Sequence, residues 1–141
     1  MKKILFVCTG NSCRSQMAEG FGRYYGIGKF EVRSAGIFPT GIHPMTIESM
    51  REAGIDISEQ TSSMLTASLL EWPDYLVTLC GSARDRKPPL PSHVTALHWE
   101  IENPDLLYNS EEDRRREFGR VRDEIGRRVR ELLDKISKGE I

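Results

Sequence analysis

The apolar run Ile4-Leu5-Phe6-Val7 breaks at Cys8-Thr9-Gly10-Asn11-Ser12-Cys13-Arg14-Ser15 and gives way at once to the helix-like Gln16-Met17-Ala18-Glu19-Gly20. A buried strand, a tight polar loop and a helix following without a spacer read as the first step of a parallel α/β sheet. The same stretch builds an oxyanion trap. Five residues separate Cys8 from Arg14, so the loop can wrap until successive N–H groups, a guanidinium fork and the helix N-terminus face one tetrahedral anion. That positive field favours the thiolate of Cys8, a nucleophile at neutral pH, and the hydroxyls of Thr9, Ser12 and Ser15 stand beside it. Taken singly, Cys8 is a buried strand-end residue, Gly10 an ordinary turn and Arg14 a surface charge. Their order between strand and helix makes them a candidate site, with Thr9, Gly10, Asn11, Ser12, Cys13 and Arg14 holding the oxyanion.

The remaining chain fits one domain over residues 1–141, long enough for a proper core and too short for two. A net charge of −1 gives no basic excess for nucleic acid, so the potential that draws an anion must be local to the Cys8 loop. Met1-Lys2-Lys3 and the short apolar run after it end at Cys8, which makes them a first strand and not a leader. No stretch approaches a membrane span. Three cysteines form no disulfide framework and suit a reducing compartment with redox or catalytic thiols. The expectation is a cytoplasmic monomer.

Strand-like runs occur at Lys3–Val7, Phe30–Ser34, Tyr75–Leu79 and Val94–Leu97, with helical patterns between most of them. The alternation predicts a four-stranded parallel sheet with helices on both faces. Helices are expected over Ser15–Tyr25, over Pro44–Ala53 with Gly54 just beyond, and over Ala67–Trp72 with Thr66 as N-cap and Pro73 as stop. A last helix starts near Ser110, with Glu111, Glu112 and Asp113 in its first turn. Phe118, Val121, Ile125, Val129, Leu132 and Ile136 then form one apolar stripe expected to pack on the sheet, opposite a solvated Arg-rich face. The stretch after Cys80, with Gly81, Pro88, Pro89 and Pro91, reads as a loop.

Right-handed crossovers favour the strand order 2-1-3-4, in which strands one and three are neighbours and the chain reverses direction between them. Cys8 ends the first and Cys80 the third, so both arrive at one edge of strands about 4.8 Å apart. A modest loop movement brings their Cα atoms within the ~7 Å that a disulfide tolerates. The alternative for Cys80 is a small core hydrophobe. Cys13, inside the loop, is expected to pack or tune it rather than react.

With these features the chain resembles the arsenate reductases that share a fold with low-molecular-weight protein tyrosine phosphatases. Besides Cys8–Gly20, the likeness rests on Ser34-Ala35-Gly36, Gly54-Ile55-Asp56-Ile57-Ser58, Val77-Thr78-Leu79-Cys80-Gly81, His98-Trp99 and Arg120-Val121-Arg122-Asp123-Glu124-Ile125. Ser12 and Gln16 look like the reductase branch. The resemblance implies that Cys8 attacks arsenate held by the loop amides and Arg14. It further implies that Cys80 attacks the Cys8 sulfur, releasing arsenite and leaving a Cys8–Cys80 disulfide. It gives Ser15 a hydrogen bond to the Cys8 thiolate and Asn11 the loop shape. No cofactor is bound; the implied reductant is external, either thioredoxin or glutathione with glutaredoxin, and phosphate or sulfate compete with arsenate.

Three positions depart from that pattern. Thioredoxin-coupled reductases carry a third cysteine seven residues after the second, where this chain has Lys87. The aspartate that precedes a proline and protonates the leaving oxygen is replaced in Asn103-Pro104, with Glu102 and Asp105 flanking as candidate acids. Some relatives bind potassium through residues matching Asn11, Glu19 and Ser34 plus an aspartate whose place is taken by Ser63, so weak or no potassium dependence is expected. Cys8, Cys13 and Cys80 with His43, His93 and His98 have no metal-ligand spacing. The competing readings are a phosphatase that forms a Cys8 phosphoenzyme, and a non-catalytic oxyanion-binding or thiol-sensing module.

Overall fold

The computed structural model describes residues 1–141. Four parallel strands, β1 (Lys2–Cys8), β2 (Phe30–Gly36), β3 (Tyr75–Thr78) and β4 (Thr95–His98), lie in the order β2-β1-β3-β4. The strand order and the α/β class are those expected from the sequence. Burial follows position in the sheet: central β1 is solvent-free from Ile4 to Val7, whereas edge strand β2 alternates, with Val32 inside and Glu31 and Arg33 outside. The helices are α1 (Arg14–Tyr25), α2 (Pro44–Glu52), α3 (Gly81–Arg86) and α4 (Glu111–Ser137).

Local chemistry sets their ends. Pro44 opens α2 behind His43, whose Nδ1 accepts the Met45 N–H at 3.0 Å, and Ser110 Oγ accepts the Asp113 N–H at 3.1 Å to start α4. The apolar stripe of α4 is buried throughout, as expected. Its closest backbone neighbours are α1 and α2, however, and not the strands. Close approach to α1 is possible because Gly126 faces the Phe21 ring, where an added Cβ would lie 2.9 Å from Cζ. No helix is long and apolar enough to cross a membrane.

Two further expectations are corrected. The stretch Ala67–Trp72 is only a 3-10 turn, Leu69–Glu71, because Pro73 leaves too few residues for an α-helix; Thr66 Oγ1 still caps it, on Leu69 N–H at 3.0 Å. The chain after Cys80 is not loop but the six-residue helix α3, so Cys80 lies two residues beyond the end of β3 and serves as N-cap, with its sulfur accepting the Ala83 N–H at 3.4 Å.

The carboxyl ends of β1 and β3 adjoin, and the chain leaves them in opposite directions. A crevice therefore opens there, at the position where sheets of this kind bind ligands. Gly36, at the end of β2, closes it from beneath. A Cβ at Gly36 would lie 2.7 Å from Thr9 O and 2.8 Å from Asn11 N, both backbone atoms of the cradle. Gly36→Ala is therefore expected to displace the loop, weakening phosphate binding by about tenfold or more and costing about 1–3 kcal/mol of stability. Isothermal titration with phosphate alongside thermal unfolding checks both effects.

Candidate active site

The loop from Cys8 to Cys13 sorts its backbone groups by side. Its carbonyls are all taken: Cys8 O by Ile37 N–H (3.2 Å), Thr9 O by Phe38 N–H (2.8 Å), Gly10 O by Thr40 N–H (3.0 Å) and Ser12 O by His43 N–H (3.2 Å). Asn11 O accepts from Gln16 Nε2 at 3.1 Å, and Cys13 O from Met17 N–H at 2.9 Å. The amides from Thr9 to Ser15, by contrast, donate to no carbonyl of the protein. Carbonyls bound outward and amides left free form a concave nest of partial positive charge at the start of α1.

Asn11 makes that curvature possible. Its φ of +48° is left-handed, a conformation asparagine tolerates better than most residues. Its buried side chain holds the turn: Oδ1 accepts the Ser63 N–H (2.8 Å), while Nδ2 donates to Ser15 Oγ (2.8 Å) and Ser34 Oγ (3.0 Å). Because Ser15 Oγ already accepts from Asn11, its own hydrogen is free for Cys8 Sγ, 2.8 Å away. Ser34 Oγ likewise passes its hydrogen to Glu19 Oε1 (2.6 Å), and Glu19 is paired with Arg23 at 2.7 Å. Asn11, Ser34 and Glu19 therefore satisfy one another directly. With Ser63 offering an amide in place of a carboxylate, this set does not fit a potassium cage.

Cys8 is 2% exposed at the floor of the nest. Cys80, also buried, reaches the same edge, and its sulfur lies 3.3 Å from the hydroxyl of Thr9, the residue that follows Cys8. Arg14 straddles the two halves of the crevice. Its Nη1 donates to Ile101 O at 2.9 Å and contacts Leu79 O at 3.5 Å, leaving Nε and Nη2 without protein partners. Cys13 is buried, and burial pushes its thiol up despite side-chain contacts with Thr46 and with Ser12, to whose Oγ the thiol donates.

The two candidate acids separate. Glu102 is exposed and bound to Arg120 Nη2 at 3.0 Å, on the outer side of α4. Asp105 lies against His43, with Oδ1 at 3.4 Å from Nε2. Asn103 Oδ1 accepts the Asp105 N–H at 3.0 Å and so shapes this loop. Reasoning from sequence missed three participants. Gly36 lies under the nest, and His43 joins Ser12 to Asp105. Thr78 Oγ1, His98 Nδ1 and His98 Nε2 with Glu100 Oε2 form a chain of two 2.7 Å contacts that fastens β3 to β4. The His43-Pro44 pair at a helix start was a readable cap signal for the second of these.

The low molecular weight phosphotyrosine protein phosphatase family model matches residues 3–140. An arsenate reductase of Shouchella clausii is 48% identical over 133 residues, covering 94% of this chain and 96% of its own. A solved arsenate reductase in the phosphate binding state superposes with a TM-score of 0.79 at 38% identity, over 96% of this chain and 99% of that one. The thioredoxin-dependent arsenate reductase of Corynebacterium glutamicum superposes at 0.81 with 33% identity, over 99% of this chain and 63% of that longer one.

Proposed function

The chain belongs to the low molecular weight phosphotyrosine protein phosphatase family, and we propose that, like its arsenate reductase relatives, it reduces arsenate through Cys8 and Cys80. The observation that carries the reading is the sorted loop: free amides and two free Arg14 nitrogens around an anion site, Cys8 at its floor and a second thiol one hydroxyl away.

Arsenate binds with its oxygens on the amides of Thr9 to Ser15 and on Arg14. Cys8 Sγ, held by Ser15, attacks arsenic; an S–As bond forms, an As–O bond breaks, and the oxygen departs as water after gaining protons. Cys80 Sγ, as thiolate, then attacks Cys8 Sγ. The S–S bond forms, the S–As bond breaks, and its electron pair leaves with arsenic, now arsenite. Both sulfurs are oxidised and arsenic is reduced by two electrons. Thr9 holds Cys80 near the Cys8 side of the crevice, and the short helix α3 must shift to close the remaining distance.

Lys87 lies at the C-cap of α3, where a relay cysteine is expected, so the external reductant meets the Cys8–Cys80 disulfide itself. A thioredoxin fits that role, which is the dependence stated for the Corynebacterium protein. Phosphate ester hydrolysis uses the same nest, but the side-chain amide of Asn103 has no acidic proton for an ester oxygen. With thioredoxin and its NADPH-dependent reductase, arsenate is expected to drive steady NADPH consumption. Arsenate-independent background rates with both thioredoxin and glutathione/glutaredoxin would contradict the reading.

A further inference from the structure

We propose that Gln16 is a positioning residue of the oxyanion site: it holds the Asn11 carbonyl outward and so aims the Ser12 N–H of the same peptide at the bound anion. The inference rests on the anion-binding role given to the Cys8 loop above. Every loop carbonyl from Cys8 to Cys13 is held by a backbone amide except that of Asn11, whose partner is Gln16 Nε2 at 3.1 Å. In a planar trans peptide the C=O and the N–H point opposite ways. The contact that turns Asn11 O out of the nest therefore turns Ser12 N–H into it, where no group of the protein accepts the hydrogen.

Gln16 is itself firmly placed. It is fully buried, and both N–H groups and the oxygen of its side-chain amide are paired. Nε2 donates a second time, to Thr61 O at 3.0 Å, while Oε1 accepts from Gln60 Nε2 at 2.8 Å. The same Gln60 group donates to Gln16 O at 3.2 Å. Because Asn11 O and Thr61 O are both acceptors, the nitrogen of Gln16 is the atom that faces them.

The segment that anchors Gln16 also meets the loop directly. Ser62 Oγ donates to Gly10 O at 3.4 Å and Ser63 N–H to Asn11 Oδ1 at 2.8 Å. Residues 60–63 thus brace Asn11 twice, through its side chain by Ser63 and through its carbonyl by way of Gln16. A buried polar network with its members satisfied holds one arrangement. Here the arrangement held is the direction of one donor, so losing Gln16 should be felt at Ser12 more than at the amides that α1 fixes.

The test uses the full-length protein with inorganic phosphate, read by titration calorimetry and by the backbone amide NMR signals of the loop. In wild type, phosphate should move the Ser12 and Arg14 amide protons downfield, the mark of charge-assisted hydrogen bonds. Gln16→Met keeps an unbranched side chain of similar size that cannot donate. Phosphate affinity should fall by about tenfold or more, and the shift at Ser12 should be lost while that at Arg14 persists. Gln16→Asn, too short to reach Asn11 O, should give the same result and serves where the methionine variant folds poorly. The anion carries its charge before displacement begins, so the loss should appear in the arsenate concentration needed for half-maximal thiol loss, with the saturating rate within about threefold. Wild-type affinity in these variants, or equal loss of the Ser12 and Arg14 shifts, would overturn the assignment. Loop amides that ignore phosphate in the wild-type protein would instead overturn the anion-nest reading on which it rests.

Discussion

Cys8→Ser is expected to lower arsenate-dependent turnover by about 10⁴-fold or more while leaving phosphate affinity within a few-fold of wild type. The two halves of that expectation come from separate parts of the site. The anion is held by backbone amides and Arg14, whose geometry depends on Asn11, Gly36 and the carbonyl contacts to residues 37–46 and not on the sulfur. Chemistry needs the sulfur itself, because a hydroxyl at that depth is a far weaker nucleophile and cannot be attacked by a second thiolate to form a disulfide as arsenite leaves. Turnover measured with the thioredoxin couple, and phosphate titration of the same variant, check the two halves. Activity within tenfold of wild type would place the nucleophile elsewhere.

Cys80→Ser carries the second large effect: about a 10³-fold loss or more of multiple-turnover arsenate reduction, whichever reductant is supplied. The first displacement at arsenic does not use Cys80, so the variant should still form the Cys8 adduct and stall there. Hydrolysis of an aryl phosphate at the same nest should remain within threefold of wild type, because water can attack phosphorus in place of the second sulfur but cannot supply the electrons that arsenic must gain. Equal losses in the two assays would instead indicate that Cys80 matters as the N-cap of α3.

What could be read from the chain was what local order encodes. The step from Ile4 through Arg14 into α1, the Ser110 cap with its acidic first turn, and the Phe118-to-Ile136 stripe each depend on neighbours within a few residues, and each appears in the structure. The strand order followed from crossover handedness. What escaped has two physical causes. Helix α3 is a single short run without an apolar period, capped by a sulfur, which is not among the common N-cap side chains. The meeting of His43 with Asp105, the support of Asn11 by Ser63 and the seating of Gly36 beneath Thr9 join segments far apart in sequence. No local pattern reports them.

The central claim is that arsenate consumes two particular sulfurs together. Treating the reduced protein with arsenate in the absence of any reductant, blocking free thiols and mapping the linked peptides by mass spectrometry tests it most directly. The predicted result is one mole of arsenite per mole of protein, a single Cys8–Cys80 disulfide and Cys13 blocked as a free thiol. A Cys8–Cys13 link, or arsenite released with Cys80 still free, would contradict it.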